Sequence, residues 1–136
     1  MTESLWPDEI GKEDIKTPVS ILKEQASMLG EKTKNIVIAS VGREESRSTK
    51  QTFRFSFNIE VPKISYKESL FSISYAVELY PVRFYLDENL KTELGFAKKE
   101  DVQAKSEEEF TFHLKNIFGA ERTRRLIGSL LSQVEI

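Results

Sequence analysis

Residues 51–86 read QTFRFSFNIEVPKISYKESLFSISYAVELYPVRFYL, and the fold turns on how this stretch is read. Phe53, Phe55, Phe57, Ile59 and Val61 alternate with Arg54, Ser56, Asn58 and Glu60, the period-two pattern of a strand with one buried face. After a connection at residues 62–67 the alternation resumes, with Phe71, Ile73, Tyr75, Val77 and Leu79 against Ser72, Ser74, Ala76 and Glu78. Two such segments so close together predict an antiparallel hairpin. Apolar stays opposite apolar only if paired residue numbers have an even sum. A sum of about 130, centred on the connection, sets Phe57 opposite Ile73, Phe55 opposite Tyr75 and Ile59 opposite Phe71. At Pro81 the phase slips, so that Val82, Phe84 and Leu86 become the apolar set. Proline cannot donate to a ladder, which predicts a bulge or break there and a further strand over 82–86.

Upstream, residues 35–41 (NIVIASV) are apolar on both sides, which predicts a strand covered on both faces. Residues 42–50 (GREESRSTK) have the composition of an exposed hairpin loop. Thr17 and Pro18 supply an N-cap oxygen and a first-turn proline for a helix over 18–29. Ile21, Leu22, Ala26 and Leu29 form its apolar stripe, and Gly30 is placed to end it in a left-handed turn. Residues 1–16 are polar and mostly acidic, which predicts a flexible acidic arm ahead of a single domain at 17–136. Trp6, the one tryptophan, either covers an end of the sheet or anchors a partner or second subunit.

Downstream, Asp87 can cap a short helix closed by Gly95, and residues 102–104 read as a minor strand. Ser106 and Glu109 form a capping box for a helix over 107–118. Its stripe (Phe110, Leu114, Ile117, Phe118) and the next one (Leu126, Ile127, Leu130, Leu131, Val134) would lie roughly 165° apart on one straight helix. One sheet cannot bury both, which predicts a break at Gly119-Ala120 and a second helix over 120–134. The alternative is that the last helix turns outward and buries its Leu/Ile side against another chain. The expected fold is therefore α+β, an antiparallel sheet of about four strands (35–41, 52–61, 68–79, 82–86) packed by helices 18–29, 107–118 and 120–134.

Composition narrows the function classes. The chain has 136 residues, 39% hydrophobic and 31% charged, with a net charge of −2, as in an ordinary globular domain. That charge argues against a dedicated polyanion binder. No cysteine and a single histidine remove disulfides, thiolate zinc sites and histidine clusters, and no cofactor is expected. No apolar run is long enough for a membrane span and the first residues do not form a secretory signal, so the expected location is cytoplasmic.

Three functions remain. An enzyme is the weakest: Glu109 and His113 share a helix face, but no nucleophile, phosphate loop or metal motif accompanies them. A nucleic-acid binder would use Arg122, Arg124 and Arg125 together with Arg43, Arg47 and Lys50, if the two groups met on one side. The leading expectation is a non-catalytic protein–protein interaction module, with self-association left open. Its candidate surfaces are Trp6, the small outward face of the hairpin (Ser56, Asn58, Ser72, Ser74) and the Leu130–Leu131 stripe.

Overall fold

The computed structural model describes residues 2–45 and 51–134. Its elements run α1 (Pro18–Lys32), β1 (Ile38–Glu44), β2 (Phe53–Val61), β3 (Tyr66–Tyr75), β4 (Val82–Tyr85), α2 (Glu88–Glu93), β5 (Val102–Ala104), α3 (Glu107–Gly119) and α4 (Glu121–Val134). The fold is α+β, as expected, with a sheet of five strands rather than four. The strands form a meander in the order β1-β2-β3-β4-β5, each antiparallel to its neighbours. The added strand, β5, was the minor strand at 102–104.

One face of this sheet carries the rings. Phe57 lies against Phe71 with centroids 5.4 Å apart, and Phe71 against Phe84 at 6.0 Å. The helices close over that same face. Phe110 of α3 meets Phe84 at 5.5 Å, and Phe118 meets Phe57 at 5.2 Å and Phe71 at 6.2 Å. Ile21, Leu22 and Ala26 of α1, Leu90 of α2 and Leu130 of α4 join the same buried core. The result is two layers, helices on one side and strands on the other.

The hairpin register differs from the expected one. Phe55 pairs with Ile73 and Phe57 with Phe71, one pair tighter than a sum of 130 requires. The connection is shorter than it looked: Pro62–Ile64 make one 3-10 turn, Ser65 is left-handed at φ 52°, and Val61 already pairs with Tyr66. Between Phe57 and Asn58 the ladder skips Leu70, a bulge that turns both Leu70 and Phe71 toward the core. β3 ends at Tyr75 rather than at residue 79, and Val77 is exposed. There a turn closed from Leu79 N–H to Ala76 O (2.9 Å) leads into Pro81, which follows a cis peptide bond.

Two boundaries near the start also move. α1 continues through Gly30 to Lys32, and the left-handed residues are Lys34 (φ 54°) and Asn35 (φ 64°). Gly30 is needed for closeness instead: a Cβ there would sit 2.8 Å from Asn35 Oδ1. The first strand therefore starts at Ile38, not 35, and runs on to Glu44, inside the segment read as a loop. It is an edge strand with helices on one side only, not a strand covered on both faces.

The break between the last two helices is present. Ala120 is extended (φ −60°, ψ 145°). Arginines at the start of α4 oppose the helix dipole, and a distant carboxylate supplies what the local sequence lacks. Glu93 of α2 accepts from Glu121 N–H at 2.6 Å and from Arg122 N–H at 3.1 Å. Thr123 Oγ1 donates to Ile117 O at 2.7 Å, satisfying a carbonyl at the end of α3. Glu93→Ala should cost about 1 kcal/mol, the ordinary worth of an N-cap. Urea midpoints read at constant m-value would show it, and an unchanged midpoint would deny Glu93 that role.

Tyrosines mark the margins of the core. Tyr66 is pushed up to about 12 by its hydrogen bond to the Glu68 carboxylate. Burial raises Tyr75, outweighing a hydrogen bond from the Val19 backbone. Burial, with Glu107 nearby, raises Tyr80 as well. An unfolded chain releases these protons near the ordinary value of 10.0, so stability is intact below that pH and declines as pH rises from 10.0 toward 12. Absorbance titration should show Tyr66, Tyr75 and Tyr80 ionising later in the folded chain than in denaturant.

Candidate functional site

The face of the sheet away from the helices is built from two rows that the register sets side by side. Gly42, Ser56, Ser72 and Tyr85 lie opposite one another across β1 to β4. Next to them run Glu44, Arg54, Ser74, Arg83 and Gln103, across all five strands. The first row is small, so the long side chains of the second lean over it. Glu44 Oε1 accepts from Ser72 Oγ at 2.8 Å, and Glu44 Oε2 accepts from Arg54 Nε at 2.9 Å. The Arg54 guanidinium lies 3.9 Å over the Tyr85 ring, a cation–π stack. The Tyr85 hydroxyl is 2.9 Å from Ser74 Oγ, and Ser40 Oγ donates to Glu60.

This leaning explains an odd feature of the surface. Ser56, Asn58 and Ser72 are only 8, 7 and 8% exposed although no helix among the described residues covers them. Gly42 keeps the first row low, since a Cβ there would come within 3.1 Å of Ser56 Oγ. The outcome is a face whose small residues lie beneath the paired Glu44 and Arg54, with a second charge pair nearer the other edge. Arg83 is held by Asp101 at 3.0 Å. Four of the expected interface residues, Ser56, Asn58, Ser72 and Ser74, thus share one surface. Glu44, Arg54 and Tyr85 belong to it too. Tyr85 reads only as an alternating strand position, and Glu44 lies in what reads as a loop.

The other expected interface residues lie elsewhere. Leu130 is 4% exposed and belongs to the core, and Leu131 is half-buried against it. The last helix therefore turns its Leu/Ile side into its own chain, not outward. Trp6 does not cover the sheet; it is 76% exposed in an arm without regular structure over residues 2–16.

The described members of the two basic groups do not come together. Arg43 sits on edge strand β1, whereas Arg122 is 3.6 Å from Asp87, beyond the end of β4 and three strands across. Arg47 and Lys50 lie outside the described residues. Arg125 is paired with Glu121 at 2.6 Å, and Arg124 Nε donates to Gly119 O at 3.1 Å. His113 is likewise committed. Its Nε2 is 3.1 Å from Gln103 O, which can only accept, so Nε2 carries the proton and ties α3 to β5. The ring meets Phe84 and Phe96 edge-on, and no bond joins it to Glu109.

On the helical side an apolar groove of ≈ 340 Å³ opens between α1 and the α3–α4 corner. Phe57, Ile59, Leu70 and Phe118 lie along it, with Met28 on one wall and Ile127 on the other. Periodicity could not have located it, because its walls come from five separate elements. No helix among the described residues is long and apolar enough to cross a membrane. No protein-family model, curated protein or solved structure matches this chain.

Proposed function

We propose that this chain is a non-catalytic interaction module of the cytoplasm that docks a folded protein on the helix-free face of its sheet. The supporting observation is the construction of that face: small residues at Gly42, Ser56, Asn58 and Ser72 roofed by the paired Glu44 and Arg54, with the Arg54 guanidinium pre-stacked on Tyr85. Arginine and tyrosine are enriched where proteins meet, and here both are held in place with the arginine's charge already paired. Arg54 and Arg83 already have carboxylate partners, so a polyanion gains little here. The partner is selected by flat shape and hydrogen bonding rather than by net charge.

A photo-reactive residue at Ser74, on this face, can be compared with one at Ser27, exposed on α1. Illumination in the source cells should give a protein adduct of discrete mass from position 74 that disappears when Arg54→Ala is added, and none from position 27. Equal labelling from both positions, or none from 74, contradicts the reading. A nuclease-sensitive adduct would favour the nucleic-acid alternative instead.

A further inference from the structure

We infer that the N-terminal arm of one chain seats Leu5 and Trp6 in the apolar groove of a second copy, so that two chains exchange arms. The arm and the groove are apolar features that the single chain leaves unmatched. Leu5, Trp6 and Ile10 are 95, 76 and 61% exposed, although the groove stands open on the same molecule. The floor of the groove is Phe57, Ile59, Leu70 and Phe118, and its Met28 wall is itself 46% exposed.

Charge fits as well. Residues 2–10 (TESLWPDEI) carry Glu3, Asp8 and Glu9 and no basic residue. Lys32 is the one charged residue in the groove lining, and Arg124 binds the carbonyl of Gly119, which also lines it. An acidic strip with an apolar centre thus meets an apolar trough with Lys32 in its lining and Arg124 beside Gly119. Pro7 restricts the backbone of Trp6, so less order is lost on seating. Eleven residues from Trp6 to Thr17 span at most ~40 Å, enough to reach a neighbour across a twofold axis. This inference does not depend on the sheet-face reading, and it is tested on different residues.

Trp6 is the only tryptophan, so its emission reports the site directly. At tens of micromolar protein, light scattering should give twice the chain mass, and tryptophan emission should be shifted to the blue. Dilution should shift it back to the red as the mass falls. Met28→Glu sits on an exposed wall, and Gly119→Leu adds its side chain where no atom lies within 4 Å of the new Cβ. Either should weaken dimerisation about thirtyfold or more and redden Trp6, with circular dichroism unchanged, as should Leu5→Asp. A monomer with water-exposed emission at every concentration overturns the proposal. So does blue emission that ignores dilution, which would mean capture by the chain's own groove. A dimer unaffected by Met28→Glu and Leu5→Asp overturns it too.

Discussion

Leu130→Asp is expected to unfold the chain rather than to change its mass in solution. Leu130 is 4% exposed and sits in the core beneath α4. Aspartate there removes a buried aliphatic side chain and strands a carboxylate with no cation beside it. Large-to-small changes at such sites cost ~2–5 kcal/mol, and an unpaired buried charge adds several more. Against a typical total of ~5–15 kcal/mol, little or no folded protein should remain. Circular dichroism and urea unfolding would read this. The matching change at half-buried Leu131 should be milder. A folded Leu130→Asp protein with altered mass would mean that the stripe faces another chain after all.

Phe71→Ala should be nearly as severe while adding no charge. Phe71 is buried where the sheet and the α3 helix meet, within 6.2 Å of three other rings: Phe57, Phe84 and Phe118. Its removal deletes those contacts and opens a cavity that the bulge at Leu70 cannot close without moving the ladder. The expected loss is ~3–5 kcal/mol, read from urea unfolding. Phe53 lies at the strand start and is exposed, so Phe53→Ala should cost far less. Equal losses at the two positions would contradict the packing described.

Why these residues were legible, and others not, follows from how local each cause is. The alternation from Phe53 to Val61 is a property of nine adjacent residues, and the structure makes them one strand. The two stripes of the last helices conflicted within a single stretch of sequence, and Ala120 resolves the conflict. The Leu70 bulge left no trace in composition, because skipping one residue changes pairing but not pattern. α4 is capped by Glu93, 28 residues away from Glu121, and no local motif could announce that. The small residues of the outer face were visible as a set. The trough that Glu44 and Arg54 fill appeared only with the register. For the strand at 35–41, apolar character on both sides suggested burial on both sides, but Ile36 and Val37 belong to the turn under α1.

Sidedness underlies all of this: helices over the rings and, among the described residues, no helix over the serines. Nuclear Overhauser contacts between assigned side chains test it most directly. The Phe118 ring should show cross-peaks to the Phe57 and Phe71 rings, and the Phe110 ring to Phe84. The β protons of Ser56 and Ser72 should show contacts only to residues of the strands, Glu44 of β1 among them for Ser72. Cross-peaks from any helix to Ser56 or Ser72 would contradict the account.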